Sequence, residues 1–293
     1  MTAAPLVTIA VPTFNRAAAL ERCLESARAQ SYPEIEIVVC DNASTDGTEA
    51  VVARTLAGHP RARYVRHETN LGALANFRFG LDEADGDYFM WLADDDWLDP
   101  DFVERCVEAL RGDSRAVLAN GDAVYAGDGR APVTEPGLDL TQSSAARRVL
   151  GYYTWVGRNA AFYGLSTVAA RRDATWDEAL GSDWVHLAEL AARGTIRRVP
   201  STIHRSTVGE TARFDRRLRH FARPIAKLVA ADVRTDAAFA PLGRAQRNAL
   251  ALACACVICW RKGVLYWREL LAHRVRGTRA LRPGDAAPVG SAG

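Results

Sequence analysis

Through roughly the first 125 residues of this 293-residue chain, short apolar or β-branched runs alternate with amphipathic helical stretches, and few architectures accept that rhythm. Strands are expected at Leu6 to Val11, Glu34 to Cys40, Ala62 to His67, Asp87 to Ala93 and Ala116 to Ala119. Between them, Ala17 to Gln30 sets Leu20, Cys23, Leu24 and Ala27 on one helical face; Thr45 to Leu56, Leu71 to Ala84 and Pro100 to Leu110 follow similarly. A β-α-β-α order joined by right-handed crossovers implies an α/β fold, a mostly parallel sheet with helices on both faces. Ligands of such sheets bind beyond the carboxyl ends of the strands, so chemistry is sought in the loops that follow them.

After Tyr125 the pattern loosens. Gly127 to Pro132 and Glu135-Pro136-Gly137 read as loops, Thr141 to Leu150 as a short helix, Ala160 to Ala169 as a strand pair, Trp184 to Arg193 as a helix and Ile196 to Val199 as a short strand. Glu210 to Arg274 is helical with a break near Pro241-Leu242-Gly243, and Pro283 to Gly293 has the composition of a disordered tail. The expected organisation is an α/β domain over 1–209, in halves meeting near 125/126, then a helical region over 210–282 and the tail.

Hydrophobic residues at 48% and charged residues at 25% fit a globular chain with a sizeable core, and a net charge of +2 implies no nucleic-acid partner. The N-terminus lacks the features of an export signal, and the longest apolar run, Ala249 to Trp260, falls short of the roughly 20 residues a membrane span needs. A cytoplasmic protein with six reduced cysteines is expected; Cys256 and Cys259 form a C-x-x-C without the second Cys/His pair of a zinc site. Leu250, Ala253, Cys254, Val257, Ile258, Leu265, Trp267 and Leu271 form an apolar surface, with Arg268, Arg274, Arg276, Arg279 and Arg282 beside and beyond it. It suits packing on the α/β domain, a homodimer interface, or peripheral contact with the inner face of a membrane.

Three polar loops follow the expected strands. Pro12-Thr13-Phe14-Asn15-Arg16 and Asp41-Asn42-Ala43-Ser44-Thr45-Asp46-Gly47-Thr48 each enter a helix, and Asn15, Ser44 or Asp46 would serve as ordinary caps. Asp41 precedes the cap. Its carboxylate could accept the imide N–H of a uracil or thymine ring, with Phe14 offering an aromatic face. The third loop carries Asp94, Asp95 and Asp96, whose mutual repulsion suits a hard divalent cation, Mg²⁺ or Mn²⁺, that also bridges a diphosphate. The plainer alternative is a solvated acidic loop capping the next helix.

Taken in order, Thr8-Ile9-Ala10-Val11-Pro12-Thr13-Phe14-Asn15-Arg16, Ile37 to Thr48, Asn70-Leu71-Gly72 with Asn76, and Leu92-Ala93-Asp94-Asp95-Asp96-Trp97 resemble the motifs of family 2 glycosyltransferases. The resemblance is close over about residues 6 to 112 and thins toward His204. It implies a Rossmann-like GT-A fold, a nucleotide-diphosphate sugar donor, a divalent metal and inversion at the anomeric carbon. By that resemblance Pro12, Phe14, Asn15, Arg16, Asp41, Asn70, Asn76, Asp94 and Asp95 belong to the nucleotide site in the first half, Asp94 approaching the ribose, and Asp96 is the metal ligand. The second half, 126–209, would then face the acceptor.

Direct displacement also needs a base on the acceptor hydroxyl, opposite the leaving group. Asp183, at the start of a predicted helix, stands where the family resembles this segment with a Glu-Asp pair; here Ser182 replaces the Glu. Capping by Ser182 or Asp183 is the structural alternative, and Asp177 and Glu178 are fallback bases. His204 resembles a further contact to the metal or diphosphate, with Arg205 and Arg213 as diphosphate partners. The expected activity is metal-dependent, inverting transfer of a sugar from a UDP- or dTDP-sugar to a hydroxyl acceptor: a glycan, lipid-linked saccharide or secondary metabolite. The rivals are a non-catalytic nucleotide-sugar-binding or scaffold subunit, suggested by Ser182, and a sugar nucleotidyltransferase, disfavoured because the first strand lacks a Gly-rich, Lys-containing phosphate loop.

Overall fold

The computed structural model describes residues 4–127, 129, 131–176, 181–207 and 218–275. Strands β1 (Val7–Thr13) and β2 (Ile35–Asp41) are buried at every position, as parallel strands covered on both faces must be. With β3 (Ala62–Arg66) and β4 (Tyr88–Trp91) they form a parallel unit in the order β3-β2-β1-β4. Helices α1 (Ala17–Arg28), α2 (Thr48–Thr55) and α3 (Ala73–Asp82) make the crossovers, and Leu20, Cys23, Leu24 and Ala27 of α1 are all buried. Period-two alternation sorts the side chains. Val7, Ile9, Val11, Ile37 and Val39 pack with α1, α2 and α4 (Phe102–Gly112), while Ala10, Phe89 and Trp91 face the opposite cluster.

Beyond β4 the sheet turns mixed, continuing as β8 (Leu165–Thr167), β6 (Ala116–Ala126), β9 (Thr195–Ser206) and β5 (Trp97–Leu98), with β7 (Val133–Glu135) paired to β6. Strand β8 is antiparallel to both β4 and β6, β9 runs parallel to β6, and β5 is antiparallel to β9. Helices α5 (Ala145–Trp155), α6 (Val168–Arg172) and α7 (Ser182–Arg193) complete this half.

Several expectations are corrected here. The proposed strand pair over Ala160 to Ala169 is a 3-10 turn (Ala160–Tyr163), the short β8 and then α6, capped by the Thr167 hydroxyl accepting from the Ala170 N–H. The apolar run reads as strand because it surrounds a buried arginine: Arg171 donates to Ser166 Oγ (2.7 Å) and to the carbonyls of Phe162 (2.9 Å) and Gly164 (3.1 Å). Instead of stopping at Val199, β9 passes through Pro200 to Ser206, with a register shift against β6 near that point, where a strand tolerates proline. Strand β5 spans two residues, too few to leave a periodic signal.

The C-terminal helices α8 (Leu218–Thr235) and α9 (Arg244–Val275) form an antiparallel pair broken around Pro241 to Gly243. Leu250, Ala251, Cys254 and Ile258 join the core cluster that contains Val149 and Tyr153 of α5 and Leu187 and Leu190 of α7, so this surface packs onto the α/β body. Leu252 and Trp260 stay exposed, as do the free thiols of Cys256 and Cys259. The side chains of Leu265, Trp267 and Leu271 lie outside the described residues, as do Arg213, Asp177, Glu178 and the tail. Among the described residues no helix is long and apolar enough to cross a membrane.

Candidate active site

The order β3-β2-β1-β4 reverses direction at β1, which creates a switch point between the carboxyl ends of β1 and β4. The last residue of β1, Thr13, crosses that point with its hydroxyl donating to Asp94 Oδ2 at 2.8 Å. Arg16, just beyond β1, lies 3.5 Å from Asp94 and 3.4 Å from Asp95. The acidic loop is therefore not a solvated cap: Asp94 and Asp96 are buried, and α4 begins after Asp101 with no side-chain cap bond.

Asp96 is 1% exposed, with Oδ2 accepting from Arg205 Nε at 2.8 Å and Oδ1 from the Ser206 N–H at 3.0 Å. The β5–β9 ladder makes this meeting. Trp97 pairs with His204, which leaves the residue before Trp97 next to the residue after His204. Arg205 also lies over the ring of Tyr163, 3.9 Å from its centroid. Burial pushes the carboxyls of Asp94 and Asp96 up to about 6, against the pull of Thr13 and Arg16 on the first and Arg205 on the second. Taking an ion out of water costs several kcal/mol, so two buried carboxylates balanced by guanidiniums constitute an electrostatic investment that packing alone does not explain.

His204 departs from expectation. Its imidazole stacks on Trp97 with centroids 5.1 Å apart, bonds Asp99 Oδ1 at 2.8 Å, and does not pair with Asp96. Alternation along β9 decides this: adjacent residues face opposite sides, and the side facing Asp96 falls to Arg205. Arg22 covers the other face of Trp97, which makes this stack a brace behind the acidic loop.

The first two loops are stitched together and do not merely cap their helices. The Asn15 N–H donates to Ser44 Oγ (2.8 Å), Asn15 Oδ1 accepts from the Thr45 N–H (2.7 Å), and Asp46 Oδ2 accepts from the Ala17 N–H (3.1 Å). Asn15 holds a left-handed φ of 52°, leaving Phe14 exposed at the rim, while Pro12 is buried in β1. Asn70 accepts from Asn42 Nδ2 at 2.7 Å, and Asn76 Nδ2 donates to the Cys40 carbonyl at 2.8 Å, so both tie the segment after β3 to the end of β2. Asp41 is completely buried, with Oδ1 accepting from the Ser44 N–H (2.9 Å) and Oδ2 from the Tyr64 hydroxyl (2.6 Å). A nucleobase must share or displace those donors to reach it.

In the mixed half, α7 starts after Gly181, whose φ of 90° suits glycine, and neither Ser182 nor Asp183 caps it. Asp183 Oδ2 instead accepts from Asn159 Nδ2 at 2.7 Å. Burial pushes the Tyr163 phenol up, against the pull of Arg205, and the charges of Asp96 and Asp183 add to the rise. Among the described residues, the group of three acidic side chains close enough to share an ion is Glu189, Asp232 and Asp236, between α7 and α8, away from the switch point. The donor set at Asp94 to Asp96 fits a different arrangement. Mg²⁺ and Mn²⁺ take one or two protein carboxylates and complete their shell with diphosphate and water oxygens, and a buried, hard-oxygen pair suits that mode.

A parallel nucleotide-type unit, a mixed second half and acidic residues at the switch point define a GT-A fold. The S. aureus TarS 1-349 fragment in complex with UDP-GlcNAc superposes with a TM-score of 0.64 at 16% identity, covering 84% of this chain and 70% of that one. Mannosyltransferase PcManGT from Pyrobaculum calidifontis, in complex with GDP-Man and Mn²⁺, gives 0.55 at 19%, covering 93% and 81%. The sequence model of Glycosyl transferase family 2 matches residues 8–174, more than half the chain; the protein belongs to that family. Chondroitin synthase of Escherichia coli is 36% identical over 110 residues, 37% of this chain and 16% of that protein. The GalNAc(5)-diNAcBac-PP-undecaprenol beta-1,3-glucosyltransferase of Campylobacter jejuni is 36% identical over 95 residues, 32% and 31% of the two chains. The chain thus spans less than a third of either curated relative.

Proposed function

We propose that this glycosyltransferase moves a sugar, with inversion, from a UDP- or dTDP-sugar to a hydroxyl acceptor, Asp96 holding Mg²⁺ or Mn²⁺ and Asp183 acting as the base. The observation that carries this reading is the buried set of Thr13, Asp94, Asp96 and Arg205 at the carboxyl ends of β1, β4 and β9, where a diphosphate would lie. The ion would compensate the charge that develops on the departing diphosphate. Arg16 and Arg205, already beside the acidic loop, add cationic donors to the same charge. Asp183 takes the acceptor hydroxyl's proton while its oxygen forms the bond to the anomeric carbon and the bond to the diphosphate breaks on the opposite face.

The pyrimidine preference rests on Asp41 with Phe14 beside it and is supported by the likeness to the UDP-GlcNAc complex; the likeness to a GDP-Man complex is the competing indication. The two halves divide the labour, residues up to about 125 for the donor and 126–209 for the acceptor. Exposed Leu252 and Trp260 on α9, with Arg261 and Lys262 following in sequence, support peripheral contact with the inner face of a membrane, where a lipid-linked saccharide would be presented. A thermal-shift panel of nucleoside diphosphates and nucleotide sugars, with and without Mn²⁺, tests the donor. A Mn²⁺-dependent rise with UDP or dTDP ligands supports it, and a rise with GDP alone moves the base preference.

A further inference from the structure

The loop between α5 and β8 contains a polar residue that catalytic logic had left unassigned. Asn159 is 4% exposed, adopts φ 62°, and sits immediately before the 3-10 turn whose Phe162 N–H donates to its carbonyl at 3.0 Å. Asparagine tolerates that left-handed backbone better than most residues, so the conformation is affordable without glycine. Its side-chain amide has two partners: Oδ1 lies 2.8 Å from the Tyr152 hydroxyl, and Nδ2 lies 2.7 Å from Asp183 Oδ2.

The chemistry of the three groups fixes which way the protons point. An ionised carboxylate only accepts, so Asn159 must donate to Asp183; its Oδ1 then faces Tyr152, which must donate in turn. Burial holds the Tyr152 phenol protonated, so it is available as that donor. We propose that Asn159 is a positioning residue for Asp183: relayed from Tyr152, its amide N–H fixes the carboxylate's orientation and keeps it in the ionised form that accepts a proton from the acceptor. This rests on the assignment of Asp183 as the base.

A donor to the charged form lowers a carboxyl's titration point, and its removal raises it. Among the described residues, Tyr152 on α5 and Tyr163 in the 3-10 turn feel the charge of Asp183, and both are pushed up by burial and neutral through the working range. The direct measurement is a ¹³C titration of aspartate-labelled protein, with the Asp183 signal assigned by its loss in Asp183→Asn. Asn159→Gly deletes the amide while preserving the left-handed backbone, and Asn159→Ala serves as a second deletion. In Asn159→Gly the Asp183 titration should move up by about one pH unit, with a smaller rise in Tyr152→Phe. An unmoved titration in a folded Asn159→Gly overturns the proposal, as does a rise in Asn159→Ala that Asn159→Gly does not share, since that would trace to backbone strain. The two assignments fail separately. Full transfer activity in Asp183→Asn removes the base reading, whereas an inactive Asp183→Asn beside an unshifted Asn159→Gly removes only this one.

Discussion

The parallel first half and the mixed second half of this molecule hold their carboxylates in opposite ways. Around β1, β2 and β4, Asp41 and Asp96 are buried, and their oxygens are taken by backbone N–H groups and by tyrosine or arginine donors from other elements. On α7, Asp183 is half-buried and joined through Asn159 to the buried phenol of Tyr152. The first arrangement suits a site that must hold a highly charged, repeatedly used group, because burial raises the value of each counter-charge. The second suits a base that must meet a hydroxyl entering from solvent. On the proposed roles, binding falls to the parallel sheet and proton transfer to a helix outside it.

Removing the carboxylate proposed to hold the metal should break the comparison most severely. Asp96→Ala is expected to abolish transfer and Mn²⁺-dependent nucleotide binding, read by calorimetry with UDP and Mn²⁺, while the fold persists; chelation of the native protein should do the same. Turnover at the full rate in excess EDTA would sink the division of labour at its donor end. Asp183→Asn tests the other end. It should lower kcat by about 10²- to 10⁴-fold, the usual worth of a general base, while nucleotide affinity stays within a factor of about two. A variant that loses affinity and rate together would place Asp183 in the donor site.

A pH series sharpens the first half further. Burial pushes Asp94 and Asp96 up to about 6, so protons would compete there with the proposed divalent cation. Mn²⁺-nucleotide affinity should therefore be complete above about pH 7 and weaken as pH falls through 6, by up to about tenfold per pH unit for each proton displaced. Stability of the ligand-free protein carries the reverse sign from the same two groups, because raised carboxyls favour the folded state when protonated. Their contribution is present below the ordinary carboxylate range and lost as pH rises through about 6. Affinity and unliganded stability that move in the same direction would contradict the burial of these groups.

What the sequence discloses follows how local the cause is. Strands β1 and β2 and the apolar face of α1 were legible because each is a short-range pattern that the fold obeys. Asp94 to Asp96 and Asp183 were legible as positions after a strand or at the start of a helix. The partners were not. His204 and Arg205 are neighbours in sequence, and only the pairing of β9 with a two-residue β5 decides that Arg205 meets Asp96. Asn159 and Asp183 are 24 residues apart and meet because α5 packs on α7, a contact with no periodic trace. The parallel pairing of β2 and β3 places Arg66 opposite Asp41, which explains why a carboxylate expected to wait for a nucleobase is already engaged.

The smallest expected effect lies where the C-terminal helices dock. Glu189 of α7 is fully buried, accepting from the Thr175 N–H (2.7 Å) and Arg193 (3.0 Å), and its other oxygen lacks a hydrogen-bond partner, as does a buried oxygen of Asp232 on α8. A proton held between the two carboxyls accounts for both, and burial followed by the charge of Glu189 pushes Asp232 up to about 9. Since the folded state binds this proton more tightly than the unfolded chain, its contribution to stability is complete below about pH 4 and declines steadily until about pH 9. Asp232→Asn keeps the shape and supplies a permanent donor to Glu189. Melting curves from pH 5 to 9 should therefore flatten in the variant and cross above the native protein at the alkaline end, with catalysis unchanged. Parallel curves for the two proteins would show that Asp232 releases its proton at ordinary pH and that no shared proton joins it to Glu189.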